Sequence, residues 1–82
     1  MPTIVRMGSI AIAINIRDEH EPPHVHVRHP DGTIVVVLHE ATHTVSTRST
    51  KGRITSAEIR RITSIVEDHF EMIITTWSFY HR

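Results

Sequence analysis

The sequence contains no cysteine, which excludes a disulfide-stabilised fold, a thiolate metal site and a cysteine nucleophile. It also carries no net charge, because nine Lys and Arg residues balance nine Asp and Glu residues. No overall electrostatic field therefore attracts nucleic acid or an anionic membrane, and any such affinity must be local. Apolar runs stay far below the roughly 18 residues of a membrane span, and no export signal follows Met1. We expect a cytoplasmic protein without membrane contact.

The residues that are present are typical of one small folded domain. With 82 residues and 9.4 kDa, the chain has room for a single domain over residues 1–82 and a thin core. Hydrophobic residues make up 39% of the sequence and charged residues 22%, which is ordinary for a folded protein. Histidine is the unusual component, at eight residues of 82. Chemistry or binding specific to this chain is therefore most simply sought among its imidazoles.

Alternating hydrophobicity predicts an antiparallel sheet. The alternation is strict over residues 9–16, where four isoleucines share one face, and Pro22-Pro23 then interrupts the pattern. Two further strands are predicted over about 24–29 and 33–39, and a fourth, edge strand over 42–47. The sequence thus predicts a three- or four-stranded meander.

The turn between the second and third predicted strands decides their register. Pro30 suits the second position of a type I turn, with Gly32 in the left-handed conformation of a bulge. His29 then pairs with Thr33, so that one face holds Val25, Val27, Val35 and Val37, and the other holds His24, His26, Arg28, Ile34, Val36 and Leu38. A two-residue loop of Asp31 and Gly32 would instead pair His24 with His39.

A single long helix is predicted at the end of the chain, over about residues 56–79. Thr55 and Glu58 form a capping box, in which the threonine hydroxyl accepts a hydrogen bond from an unpaired amide at the helix start. Apolar residues recur from Ile59 to Tyr80 in steps of three and four, and extra apolar positions at Ile65, Met72 and Ile74 widen the stripe. The predicted fold class is therefore α+β, with the helix packed on the sheet and apolar surface left for a second copy or a partner.

Three histidines form the strongest candidate for a metal site. His24 and His26 are two apart on a predicted strand and point the same way, and the stiff Pro22-Pro23 turn would fold His20 toward them. Imidazole nitrogens suit zinc or another divalent metal, with a carboxylate or water as the fourth ligand. The alternative is that these histidines form only the polar face of an amphipathic strand.

A metal-free reaction is a further alternative for the same residues. His24 and His26 would act as general base and general acid, and Arg28 would hold a phosphate, in the cleavage of a phosphodiester as in small ribonucleases. This mechanism requires a cleft and a third positioned group that the sequence does not identify. Whether the protein is an enzyme is therefore left open, and a binding role is favoured.

Five cations near the predicted helix start are candidates for contacts to phosphate or nucleic acid. They are Arg48, Lys51, Arg53, Arg60 and Arg61. The positive end of the helix dipole lies among them, which favours an anion there. The alternative, a solvated charged surface, needs no ligand.

The start of the chain, the block from His20 to Val27 and the tryptophan near the end of the last helix resemble a small bacterial family, domain of unknown function 4160. Its members begin Met-Pro-Thr and carry Asp-His-x-Pro-Pro-His-Phe-His-Val, which this chain matches at Pro22, Pro23, His24 and His26 and at the preceding His20. Three departures are the glutamate in place of the aspartate, the valine in place of the phenylalanine and the missing earlier helix tryptophan; they lie at Glu19, Val25 and Val66.

The resemblance implies a role but no reaction. Genes of this family often lie beside a second small gene, in pairs similar to toxin–antitoxin modules. We therefore expect an interaction module that forms a homodimer or binds a small protein partner, with His20, His24 and His26 marking its functional surface. A metal-binding protein and a small ribonuclease are the alternatives.

Overall fold

A computed structural model describes residues 3–14 and 22–81 of the chain. These residues form five strands and two helices, which follow one another as β1 Thr3–Met7, β2 Ile10–Ala13, β3 His24–His29, β4 Gly32–His39, β5 Thr44–Gly52, α1 Ser56–Asp68 and α2 Phe70–Tyr80. The strands form one antiparallel sheet in the order β1-β2-β3-β4-β5. The predicted α+β class is thus confirmed, with five strands rather than three or four.

The strand that the sequence analysis missed is β1. It pairs with β2 through a two-residue loop of Gly8 and Ser9, and Gly8 has a φ of 60°, which glycine adopts without strain. A glycine followed by serine between two apolar segments is itself a hairpin signal. The predicted strand 9–16 corresponds to β2, although its last residues, 15 and 16, lie outside the described residues. The predicted edge strand 42–47 corresponds to the longer β5.

The register between β3 and β4 differs from both predicted registers. The loop consists of Pro30 and Asp31, so that His29 pairs with Gly32 and not with Thr33, and His24 pairs with Val37. The amide of Asp31 donates to Nδ1 of His29 at 3.0 Å, which stabilises this tight turn. A shift of one residue exchanges the two faces of a strand. The alternating residues of β4 therefore lie on the faces opposite to those predicted.

One face of the sheet forms the core together with the helices. Directly opposed residues on neighbouring strands point to the same side, which places Val25 and Val36 together on this face, each with no exposed surface. The remaining buried sheet residues of the core are Ile10, Ile12, Ile14, Val27, Ile34 and Leu38. Val35 and Val37, predicted to belong to the core, lie on the other side, which we call the second face.

The predicted long helix is divided at His69. As predicted, α1 is capped by Thr55, whose Oγ1 accepts a hydrogen bond from the amide of Glu58 at 3.2 Å. At its other end, Nδ1 of His69 donates to the carbonyl oxygen of Ile65 at 2.8 Å, and the backbone φ and ψ of His69 are −106° and 19°. The imidazole thus satisfies a carbonyl at the end of α1, and α2 begins at the next residue, Phe70.

Helix α2 lies along the end of the sheet at which β3 begins. The ring of Phe70 is 4.0 Å from that of His43 in the turn before β5, and the ring of Trp77 is 5.1 Å from that of His24. Ile73, between them, is fully buried. Neither helix of the described residues is long and apolar enough to cross a membrane.

Candidate functional site

Among the predicted site residues that the structure describes, His24 is the most buried, with 3% of its surface exposed. As the first residue of β3 it lies at the sheet end beside α2, where Trp77 covers it. Its Nδ1 donates to the carbonyl oxygen of Pro22 at 3.1 Å. In a neutral imidazole this bond leaves the lone pair on Nε2, so the proline turn selects the tautomer.

His26 lies next to His24 on the second face, as their spacing of two predicts. The two ring centroids are 5.4 Å apart and the ring planes meet at 65°. Two imidazoles that bind one tetrahedral zinc at a Zn–N distance of about 2.0–2.1 Å have centroids about 5 Å apart. The separation therefore fits a shared ion. The predicted third ligand, His20, lies outside the described residues, and within residues 3–14 and 22–81 no three His, Asp or Glu side chains form a metal-binding group.

Arg28, the predicted phosphate-holding residue, follows His26 by two positions and lies on the same face. Its side chain is exposed, whereas His26 is half-buried and His24 is buried. The three residues of the ribonuclease hypothesis thus form a column along β3, with exposure increasing from His24 to Arg28. A ligand that approaches this column therefore contacts Arg28 before it contacts either histidine.

The two predicted cations on α1 lie in different surroundings. Nε of Arg61 donates to Oε2 of Glu58 at 2.7 Å, and this bond lowers the pKa of Glu58 below its ordinary value of 4.5. The same pairing raises the pKa of Arg61. Glu58 also lies 3.5 Å from Nε2 of His29. Arg60 instead lines an open groove of about 450 Å³ between α1 and β5, where Glu67 is also found.

The other three predicted cations lie on β5 or directly after it. Lys51 pairs with Thr33 and so lies on the second face. Arg48 lies where the register of β4 and β5 shifts, and the amide of Arg53 donates to the carbonyl oxygen of Asp31 at 2.9 Å. The structure thus places Arg48 and Lys51 on β5, Arg53 after it, and Arg60 and Arg61 on α1, and it pairs only Arg61 among them with an acidic side chain of the described residues.

Two features of the surface were missed by the sequence analysis. The first is Arg6 on β1, which pairs with Ala11 and therefore lies on the second face near Arg28. The Gly8-Ser9 turn signal would have located it. The second is an apolar stripe on the outer side of α2, defined by Met72, Thr75, Thr76 and Phe79. The sequence analysis named only Met72 as an extra apolar position of this stripe, although 61% of the surface of Phe79 is exposed.

The fold and this surface define a small α+β domain with a five-stranded antiparallel meander, a divided C-terminal helix and a histidine-bearing second face. A family model described as a domain of unknown function, DUF4160, matches residues 9–78. The chain therefore belongs to this family, as its resemblance predicted. Neither a curated protein nor a solved structure matches the chain.

Proposed function

We propose that the protein is an interaction module that forms a homodimer through the outer stripe of α2, and that it works within a two-gene, toxin–antitoxin-like system. The observation that carries the dimer is the apolar character of α2 on both of its sides. Phe70, Ile73 and Trp77 are buried against the sheet, while Met72 and Phe79 on the opposite side are 40% and 61% exposed. Large apolar side chains exposed on the side away from the core are typical of an association surface, which supports a contact with a second copy.

The composition of the outer stripe suits pairing with a second copy of itself. Met72 and Phe79 lie seven residues apart, at its two ends, with Thr75 and Thr76 between them. The hydroxyl of Thr76 donates to the carbonyl oxygen of Met72 at 2.8 Å, so this polar group is satisfied within the helix. In an antiparallel pair of stripes related by a two-fold axis, Met72 of one copy meets Phe79 of the other. A thioether against an aromatic ring is a favourable contact, and the small threonines permit close approach.

The two-gene setting of the proposal rests on the family alone. Within that setting, the dimer supplies a doubled surface, because a two-fold axis presents every other face of the protein twice. A protein encoded by the neighbouring gene would then meet two equivalent sites.

Sedimentation equilibrium of the purified chain at micromolar concentrations tests this proposal. We expect the wild-type protein to sediment as a dimer and Met72→Glu as a monomer, because the variant places a charge in an apolar contact. Met7→Glu is the matched control, since Met7 is 44% exposed on β1, away from the stripe, and this variant should remain dimeric.

Two outcomes count against the dimer. One is a wild-type monomer at every concentration, and the other is equal dissociation of Met7→Glu and Met72→Glu. If the wild type is monomeric but binds the product of the neighbouring gene in a manner blocked by Met72→Glu, the stripe is a docking surface for that partner instead.

A metal-binding function is the second candidate. The observation that favours it is the distance of 5.4 Å between the ring centroids of His24 and His26. The bond from His24 to Pro22 fixes one of the two rings before any ion arrives, which lowers the entropy cost of binding. With His20 as the third ligand, the site would hold zinc or a similar divalent ion. A ribonuclease reaction by His24, His26 and Arg28 stays a prediction of the sequence.

A further inference from the structure

Charge is segregated between the strands and the rest of the described chain. The five strands contain four Arg or Lys residues and no Asp or Glu. The acidic residues among 3–14 and 22–81 lie in turns and helices, namely Asp31, Glu40, Glu58, Glu67, Asp68 and Glu71. A chain with zero formal charge thus carries a cationic sheet.

Three of the strand cations are brought into one row across the second face. Opposed pairs connect Arg6 to Ala11, Ala11 to Arg28, Arg28 to Thr33 and Thr33 to Lys51, so the row crosses all five strands. All of its members are exposed except Ala11, which is 5% exposed. Neighbouring strands are about 4.8 Å apart, and the three cations therefore follow one another at intervals of about 10 Å. We call this set the cationic row.

The charges of the cationic row are not neutralised within the described structure. Arg6, Arg28 and Lys51 form no salt bridge with the acidic residues of 3–14 and 22–81. Arg61 on α1, by contrast, makes two hydrogen bonds to Glu58. The difference shows that Arg61 is held by a local acidic partner, whereas the three cations of the row are exposed without one among the described residues.

We propose that the cationic row binds the phosphodiester backbone of single-stranded nucleic acid. Charge complementarity indicates an anionic ligand, and the planar guanidinium groups of Arg6 and Arg28 match phosphate oxygens in bidentate geometry. Guanidinium planes are also surfaces on which unpaired bases stack, which an acidic protein segment would not use.

The position of the row on a sheet surface favours a single strand over a duplex. Ala11 lies between Arg6 and Arg28 but is only 5% exposed, so an incoming strand contacts the two exposed arginines rather than the sheet between them. The major groove of a duplex is instead filled by a protruding helix or β-ribbon, and the described residues of this face form neither.

Fluorescence anisotropy with labelled 20-nucleotide single strands of U and of dT tests the proposal. Three phosphate contacts predict a slope of about −2 for the logarithm of the association constant against the logarithm of salt concentration. We expect the double variant Arg28→Gln, Lys51→Gln to bind at least tenfold more weakly at about 50 mM salt and to lower that slope to below about 1 in magnitude.

The matched control is Arg60→Gln, Arg61→Gln, which removes the same charge from exposed positions of α1. This variant should keep the affinity and slope of the wild type, and circular dichroism verifies that both double variants are folded. Equal weakening by the two double variants, or no binding at about 50 mM salt, would overturn the proposal. So would a 20-residue poly-glutamate that competes as strongly as the oligonucleotides, because the surface would then select an acidic protein.

Discussion

The two faces of the sheet are built from alternate residues of the same five strands, yet they differ in what they leave for other molecules. On the helix side Val25, Val27 and Val36 are completely buried, and α1 and α2 close that surface. On the second face Arg28, Thr33 and Lys51 remain exposed. The comparison shows how a domain of this size divides its roles. The helix side supplies stability, whereas the second face, where His24 and Val37 are also buried, keeps the charges of Arg28 and Lys51 exposed for contacts.

The largest expected effect is a loss of stability on shortening a valine of β4, and its size depends on the face of the sheet on which that valine lies. Val36→Ala removes two methyl groups from a completely buried position and should lower the free energy of unfolding by about 2–3 kcal/mol. Val35→Ala makes the same deletion at a half-buried position of the second face and should cost about 1 kcal/mol or less. Urea denaturation measures both, and a larger loss for Val35→Ala would show that the register is the predicted one instead.

An effect of similar size is expected if the second face binds a metal. Zinc at a hundredfold excess over its dissociation constant would stabilise the protein by about 2.7 kcal/mol and raise the melting temperature by about 11–22 °C. Emission of Trp77, whose ring lies 5.1 Å from His24, reports on the same site.

The matched pair for this experiment is His26→Ala and His39→Ala. His39 is an exposed histidine of β4 whose Nε2 is hydrogen-bonded to Ser46 Oγ at 2.7 Å. The zinc-dependent rise should vanish in His26→Ala and persist in His39→Ala. An unchanged melting temperature and Trp77 emission in wild-type protein at saturating zinc would eliminate the metal function.

The smallest expected effect is the pH dependence of stability that comes from the pair of Glu58 and Arg61 on α1. Because Arg61 lowers the pKa of Glu58, the folded state binds a proton there less readily than the unfolded state. The pair therefore stabilises the fold above the ordinary pKa of 4.5, and this contribution is lost as the pH falls through the lower, folded value. Thermal denaturation between about pH 3 and pH 6 should be less pH-dependent in Glu58→Gln and in Arg61→Gln than in the wild type. An unaltered pH dependence in both variants would show that the pair makes no such contribution.

Local signals in the sequence predicted local structure well. The bounds of β3 agree with the predicted 24–29, and Thr55 caps α1 as its spacing from Glu58 indicated. The division of the helix was missed because apolar periodicity continues through His69, whereas the bond from its imidazole to Ile65 depends on a side-chain conformation.

Relations across strands were harder to predict, since they depend on the register. One residue of difference in the Pro30-Asp31 turn reversed the faces of β4. For the same reason Lys51 was grouped with Arg48 and Arg53, its neighbours in the chain, although its neighbours in the cationic row are Arg6 and Arg28. The separation of His24 from His26 was predictable, because a spacing of two on a strand requires no knowledge of pairing.

The close approach of Gly32 and Gly52 has a consequence for how the edge of the sheet opens. A Cβ on Gly32 would lie 1.9 Å from the carbonyl oxygen of Lys51, and a Cβ on Gly52 would lie 2.2 Å from that of Asp31. With the added bond from Arg53 to Asp31, the last residues of β5 are clamped to the tip of the neighbouring hairpin. A side chain at either glycine would therefore force this edge of the sheet open at the end of β5 that leads into α1.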